Sequence, residues 1–199
     1  MSTVDRVLEF WFPADSARAN KLWWGKDPAL DAEITEEFGP TLAAAKAHEL
    51  DAWADTARGR LALIVVLDQL SRNILRGDPE TYAADAQARA LTHAGLERGH
   101  DAEVRPIERL FFYLPLEHSE ALADQERCVG LMEALAAEVA AEPGVDEARR
   151  KQFAGFVDYA IRHRDIVARF GRFPHRNALL GRPSTPEELE FLTQPGSSF

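Results

Sequence analysis

The segment RGRLALIVVLDQLSRNIL, residues 58–75, contains the longest apolar run of the chain, the seven residues LALIVVL. A surface helix carries its apolar residues on one stripe, whereas this segment is apolar on every face for two turns. We therefore expect a helix at the centre of the fold. Gly77, Asp78 and Pro79 predict where it ends. Seven apolar residues are far fewer than the about 20 that cross a membrane.

The composition around this segment favours helix throughout. The chain has 199 residues, is rich in Ala, Leu, Glu and Arg, and contains only 3 Tyr. These residues have high helix propensity and low strand propensity. The length lies at the upper end of one domain. We predict an all-α fold with about 8–9 helices in a single domain over residues 1–199.

Apolar spacing and capping signals place the other helices. A polar loop is predicted at 14–20, a break or kink at Gly39–Pro40, and an end at Pro115. Thr185, Pro186 and Glu188 predict a capping box for the last helix. The predicted helices cover 4–11, 28–38 with a continuation over 41–50, 80–98, 105–114, 119–142, 146–170 and 185–192.

Positive charge is concentrated near the C-terminus. Residues 162–182 hold six arginines, two histidines and one acid, although the whole chain has a formal net charge of −10. Arginine binds carboxylates and phosphates through two parallel hydrogen bonds, so this stretch indicates a place where such groups are received. The acidic balance argues against nucleic-acid binding, which usually requires a basic face.

Polar residues at positions where the pattern calls for apolar ones are candidates for this site. On the helix that contains Phe153, Arg164 lies near the apolar stripe and is expected to point inward. A buried guanidinium needs a carboxylate, and Asp68, followed one turn later by Arg72, is the candidate. This set is either a structural network or the floor of a charged pocket.

The histidines allow two interpretations each. Glu117 and His118 follow the aromatic run LFFYLPL, so Glu117 is a candidate partner for an arginine, and His118 is either a residue before the Ser119 cap or a proton-transfer group. His163, at the edge of the apolar stripe, is either packed or a general base. His175 lies in the turn FPHRN.

Several functional classes are disfavoured. The chain has no H-E-x-x-H, nucleophile elbow, Walker or GxGxxG motif, and HRD at 163–165 lacks the asparagine of a kinase catalytic loop. The histidine spacings fit no standard metal motif, so we expect neither a metal nor a cofactor. Cys128 cannot form an internal disulfide, and no signal peptide is recognisable. We expect a cytoplasmic protein.

Long motifs resemble one known family. They are VLEFWF, LDQLSRNILRG, FFYLPLEHSEALADQE, HRDIVARFGRFPHRNALLGRPSTPEELEFL and the terminal PGSSF. Together they resemble the bacterial DUF924 family, a domain of unknown function, over almost the whole chain. The chain departs from the family pattern at Leu70 and Leu75, where aromatic residues are usual. The resemblance implies stacked antiparallel helices similar to tetratricopeptide folds, with a concave face.

Three hypotheses for function remain open. The first is a helical binding module whose pocket receives a small anionic molecule or an acidic peptide end, without contact to nucleic acid or membrane. The second is a small hydrolase or transferase with His163 or His175 as base, Asp68 or Asp165 to orient it and arginines to stabilise an oxyanion. The third is a protein-interaction scaffold with a purely structural charged network. The candidate ligand-binding residues are Asp68, Arg72, Asn73, Glu117, His118, His163, Arg164, Arg172, His175, Arg176 and Asn177.

Overall fold

The computed structural model describes residues 2–198, and in these residues the regular structure is entirely helical. The α-helices are α1 (Val4–Trp11), α2 (Ser16–Trp24), α3 (Pro28–Lys46), α4 (Ala57–Ile64), α5 (Ser71–Ile74), α6 (Asp85–Arg98), α7 (Pro106–Glu117), α8 (Leu122–Ala141), α9 (Glu147–Phe170) and α10 (Pro186–Leu192). The predicted all-α class is confirmed. The tetratricopeptide-like arrangement and the single domain over 1–199 stay predictions.

Contacts within the chain define two compact units. The N-terminal unit comprises residues up to 76 together with Glu80–Pro115, and the C-terminal unit comprises Gly77–Pro79 and residues from 116 onward. No helix in residues 2–198 combines the length and the apolar character that a membrane crossing requires.

The segment 58–75 forms the core of the N-terminal unit, as predicted. Between α4 and α5 the chain forms a π-helical stretch, Val65–Leu70, and every residue of that stretch is buried. Helix α3 packs against this stretch and against α5, while α4 packs against α1 and α6. A π-helical turn widens the helix by one residue and often marks a functional position. It contains the buried Asp68.

Two predicted helix boundaries in this unit are wrong. The predicted loop 14–20 is largely helix α2, because the Asp15 carboxylate accepts hydrogen bonds from the backbone N–H groups of Ala17 and Arg18. Of the break or kink predicted at Gly39–Pro40, the break is wrong. Helix α3 continues through Pro40, since buried side chains on both sides, including Phe38 and Leu42, hold it in place although proline removes one backbone bond.

The C-terminal unit is built on a helical hairpin. Helices α8 and α9 pack against each other, and a short turn over 142–146 joins them. The helix predicted over 146–170 is confirmed as α9, and Asp146 caps it, since its side chain accepts the N–H of Arg149. Helix α7 runs to Glu117, so the predicted end at Pro115 is wrong. Helix α8 starts at Leu122 rather than directly after Ser119.

The chain after α9 folds back on that helix. Gly171 closes α9 in the left-handed conformation with a φ of 69°, and Phe173 then joins Ile166 and Val167 in a small apolar core. Phe170 and Phe191 pack against the same core. The predicted capping box of α10 is confirmed, because the Thr185 hydroxyl accepts the Glu188 N–H and the Glu188 carboxylate accepts the Thr185 N–H.

Candidate functional site

Residues 171–185, which we call the clamp loop, connect α9 to α10 and are held by two buried or half-buried carboxylates. Glu188 accepts hydrogen bonds from Arg172 Nε and Nη2 at 2.6 and 2.8 Å. Glu120 accepts hydrogen bonds from Arg182 Nη1 and Nη2 at 2.7 and 2.9 Å. Each is a bidentate arginine–carboxylate pair, the strongest geometry for such a pair. Both arginines therefore hold the loop in place through hydrogen bonds within the protein.

Asn177 and backbone groups complete these ties. The Asn177 amide donates to Glu188 Oε2 at 3.3 Å, and its oxygen accepts from Arg182 Nε at 3.0 Å. The backbone N–H of Phe173 donates to Glu120 at 2.8 Å. The Asn177 amide thus links the two bidentate arginine–carboxylate pairs, and Glu120 fixes the backbone at Phe173.

The electrostatics of both carboxyl groups reflect these bonds. The Arg172 guanidinium lowers the pKa of Glu188 to about 2, although burial opposes the shift. Burial by itself raises the pKa of Glu120, but the hydrogen bonds from Arg182 and Phe173 lower it by more, so it lies below its ordinary value. Both groups are ionised at neutral pH.

Basic side chains from this loop, from α9 and from the segment after α7 lie close to one phenylalanine ring of the loop or to each other. We call this group the Phe173 cluster, and its members are His118, His163, Phe173, His175 and Arg176. The Arg176 guanidinium carbon lies 4.5 Å from the centre of the Phe173 ring, and the rings of His163 and His175 both lie 5.6 Å from it. The His118 ring lies 6.3 Å from that of His163.

Burial differs among these residues. His163 is 4% exposed and Arg176 is 7% exposed, while His118 and His175 are partly exposed. The fixed positive charge of the cluster is therefore largely removed from water, and two of its rings reach the surface.

His163 has a defined orientation. Its Nδ1 lies 2.9 Å from the carbonyl oxygen of Tyr159, one turn earlier on α9, and 3.5 Å from a carboxylate oxygen of Glu117. Both are acceptors, so Nδ1 carries the proton and Nε2 is the acceptor nitrogen of a neutral ring. Burial lowers the pKa of His163 to about 3, and the charge of Arg176 adds to that effect.

His175 is also neutral at physiological pH. Burial and the adjacent Arg176 lower its pKa to about 4, although Glu120 opposes this change. Both histidine pKa values are low mainly because the rings are buried, and the positive charge of Arg176 lowers them further.

Asp68, Arg72 and Asn73 form a separate arrangement in the N-terminal unit. Asp68 is 0% exposed, accepts a 2.6 Å hydrogen bond from the Gln69 amide and pairs with Arg72 at 3.3 Å. Arg72 also binds both carboxylate oxygens of Asp85, at 3.0 and 3.1 Å. The Asn73 amide donates to Asp31 at 2.9 Å.

The predicted orientation of Arg164 is wrong. Its side chain is 34% exposed and pairs with Asp165, the next residue. In the second half of α9 the buried positions are Ala160, His163, Ile166 and Val167. At about 100° per residue, the centre of that face is rotated by about 60–70° from Phe153, which brings His163 inward and takes Arg164 outward.

Several residues that organise the site were not predicted. Glu120, Phe173 and Tyr159 are essential to the geometry of the cluster, and Asp85 to that of Arg72. For Glu120, the only sequence signal was an acid inside the motif EHSEALADQE, and its partner lies 62 positions away. Glu188 was recognised as part of a capping box but not as the partner of Arg172.

The thiol of Cys128 does not add a nucleophile to this site. Cys128 is fully buried, and burial together with the nearby carboxylates of Glu117 and Asp124 raises the pKa of its thiol well above the ordinary value. The thiol is therefore protonated and a poor nucleophile. Within residues 2–198, no three histidine, cysteine or acidic side chains are grouped in a way that would hold a metal ion.

The motifs of the clamp loop agree with the comparison with known families. The family model described as a bacterial protein of unknown function, DUF924, matches residues 7–196. This chain belongs to the DUF924 family. The resemblance inferred from its motifs is confirmed.

A solved structure extends this result to the fold. The DUF924 chain is similar to a protein of unknown function from Agrobacterium tumefaciens, with 38% sequence identity and a TM-score of 0.80, over 95% of this chain and 96% of that one. Comparison with curated proteins finds no match. The function of this DUF924 protein must therefore be argued from its own residues.

Proposed function

We propose that this DUF924 protein is a helical binding module and that its Phe173 cluster binds a small anionic molecule or an acidic peptide end. The supporting observation is the convergence of a buried guanidinium and two imidazoles on the Phe173 ring, with a third imidazole, His118, beside His163, in a chain with a net charge of −10. A planar guanidinium in a low-dielectric setting attracts carboxylate and phosphate groups more strongly than one in water. The partly exposed His118 and His175 provide the approach.

This proposal is narrower than the one drawn from the sequence. Arg172 and Asn177 have their hydrogen bonds directed to Glu188, and Arg72 and Asn73 to Asp85 and Asp31. Since these groups already have internal acceptors, a ligand would have to displace them. We place the proposed site at His118, His163, His175, Arg176 and Glu117, because these side chains lie together beside Phe173 and His163. Arg164, Asp68 and the four residues named above are left out of it.

The test is a titration with anions monitored by melting temperature. Sulfate, phosphate, a tricarboxylate and a peptide with an acidic C-terminus serve as probes, and a ligand that binds the folded state raises the melting temperature. Arg176→Met should abolish the shift. Arg169→Met is the matched control, because Arg169 also stacks on a phenylalanine, at 4.7 Å from Phe170, but lies exposed on the surface, away from the cluster.

Two results would refute anion binding. One is a wild-type melting temperature that none of these probes changes. The other is an Arg176→Met protein that folds and keeps the full shift. Arg176→Lys retains the charge without the planar fork, and it should therefore retain part of the affinity.

A hydrolase or transferase is the second candidate function. It is favoured by the fixed tautomer of His163, in which Tyr159 and Glu117 hold the Nδ1 proton and leave Nε2 as the proton acceptor. The low pKa of His163, about 3, counts against it, because a general base works best with a pKa near the operating pH. A broad substrate screen tests it: an activity lost in His163→Gln and retained in His93→Gln would support the enzyme.

A protein-interaction scaffold is the third candidate. The two bidentate clamps favour it, since they account for Arg172 and Arg182 without any ligand. In that case Arg176→Met would change stability and no anion would bind. For each candidate we propose the cytoplasm as the compartment, on the evidence of a chain with a single, buried cysteine.

A further inference from the structure

The Phe173 cluster joins one permanent cation to rings that can acquire charge. Arg176 is charged at every accessible pH, while His163 and His175 share the same phenylalanine ring with it. We propose that the cluster takes up protons on His163 and His175 when it binds its anion, so that affinity for a small anion rises as the pH falls. This inference rests on the proposed function and concerns its regulation.

The surroundings of His163 explain why its charge depends on a ligand. Glu117 and His118 face it from the end of α7, and His175 and Arg176 face it from the clamp loop. Its own helix contributes the Tyr159 carbonyl, which already accepts the Nδ1 proton. Burial, assisted by the charge of Arg176, outweighs the hydrogen bond to Tyr159, so the ring is neutral when no anion is bound.

His175 has a similar environment with easier access. Arg176 and Arg182 on its own loop and His118 disfavour its charge, while Glu120 favours it. It is partly exposed, so an incoming anion can reach it without opening the core. An added negative charge close to both rings reverses the balance, because an opposite charge within about 4–6 Å favours the protonated form.

The direction of the effect follows from linkage. The free protein holds both rings neutral down to a pH of about 4 for His175 and about 3 for His163. If anion binding raises the pKa of either ring, the complex carries more protons than the free protein at every pH between the free-state pKa and the bound-state pKa of that ring. Affinity then increases on acidification, by up to about tenfold per pH unit for each proton taken up.

Sulfate is the appropriate probe, because its charge stays constant over the working range and phosphate's does not. Isothermal titration calorimetry at about pH 5 and about pH 7.5 gives the affinity at each value, and repetition in two buffers of different ionisation enthalpy counts the protons taken up. We expect tighter binding at the lower pH. We also expect a measurable proton uptake of at most two protons, one for each ring.

Substitution with glutamine separates titration from shape. His175→Gln keeps a polar side chain that cannot be charged, so the ratio of its affinities at about pH 5 and about pH 7.5 should fall towards one, and it should take up fewer protons than the wild type. A merely structural role would lower the affinity equally at both pH values. His163→Gln should behave likewise where it folds, and His93→Gln on α6 should match the wild type.

The outcomes distinguish this inference from the function on which it rests. Sulfate binding with equal affinity at both pH values and without proton uptake overturns proton coupling and leaves anion binding in place. A wild-type pH dependence that persists unchanged in His175→Gln and in His163→Gln overturns the assignment to these rings. Absence of binding for sulfate and for every other probe anion overturns both proposals.

Discussion

Arg182 and Glu120 form a bidentate pair with hydrogen bonds of 2.7 and 2.9 Å, although 62 positions separate them in sequence. The pair ties the clamp loop to the segment between α7 and α8. Glu120 also accepts the backbone N–H of Phe173, the residue on which the histidines and Arg176 are arranged. The pair therefore sets the position of the proposed site from outside it.

We predict a measurable coupling energy for this pair. In a double-mutant cycle with Glu120→Gln and Arg182→Met, urea denaturation should give a coupling of about 1–3 kcal/mol, because both partners are half-buried and the bonds are charge-assisted. The control cycle uses Arg169→Met and Glu187→Gln, an exposed pair, and should give less than about 1 kcal/mol. Equal couplings in the two cycles would contradict this account.

We predict that the Glu188 clamp stabilises the protein at neutral pH and is lost in acid. In the unfolded chain a glutamate titrates near about 4.3, whereas Arg172 holds the pKa of Glu188 at about 2 in the folded state. The unfolded state thus binds more protons between these values, so stability falls as the pH falls through them.

Glu188→Gln provides the measurement. The difference in unfolding free energy between wild type and variant should be largest above about pH 5 and should disappear towards pH 2. Glu190→Gln, at an exposed position of the same helix, is the control and should show little difference at any pH. A wild-type advantage that stays constant down to the lowest pH would rule out the charge of Glu188 as its source.

The sequence predicted the fold because its signals are local. The all-round apolar segment 58–75, the helix predicted over 146–170 and the capping box at Thr185 and Glu188 follow from signals within a few residues, and all three lie where they were predicted. The errors were also local. Asp15 as a cap was overlooked, and Pro40 and Pro115 were given more weight as helix breakers than the surrounding packing allows.

The candidate site was less predictable because its contacts are distant in sequence. The concentration of arginines directed attention to residues 162–182, but the partners of Arg172 and Arg182, Glu188 and Glu120, lie outside that segment, so the pairing could not be derived from it. A rotation of about 60–70° in the buried face of α9 exchanged the roles of His163 and Arg164. Such a rotation depends on the packing of α8 and of the clamp loop, which periodicity alone does not contain.

We predict that a side chain at Gly95 on α6 would collide with a buried arginine of the N-terminal unit. A Cβ atom there would lie 2.4 Å from Phe112 Cζ and 2.5 Å from Arg60 Cδ. Arg60 is buried, and its guanidinium donates to the carbonyls of Ala54 and Leu91 and to His100 Nδ1. Displacing it would break bonds that satisfy a buried charge.

Gly95→Ala should therefore destabilise the protein by about 1–3 kcal/mol in urea denaturation, although alanine is the better helix former. Gly130→Ala on α8 is the matched control. A Cβ atom at Gly130 meets nothing within 4 Å, so this change should stabilise the protein by up to about 1 kcal/mol. Stabilisation of similar size in both variants would show that Arg60 and Phe112 adjust without cost.

The last prediction concerns the neutral state of His163. In the unfolded chain a histidine titrates near about 6.5, whereas burial holds the pKa of His163 at about 3 in the folded protein. The unfolded state therefore binds more protons between these values, and His163 reduces stability by up to about 1.4 kcal/mol per pH unit as the pH falls below 6.5.

His163→Gln removes this titration and should flatten the stability profile between about pH 6.5 and pH 3, relative to wild type. NMR should show His163 as the Nδ1-protonated tautomer at neutral pH, because the carbonyl of Tyr159 accepts that proton. The ring should not titrate down to about pH 4, because burial lowers its pKa to about 3. His93→Gln is the control for replacing a histidine by glutamine outside the cluster. An imidazole that titrates near its ordinary pKa would mean that water reaches His163 and would remove the electrostatic basis of the Phe173 cluster.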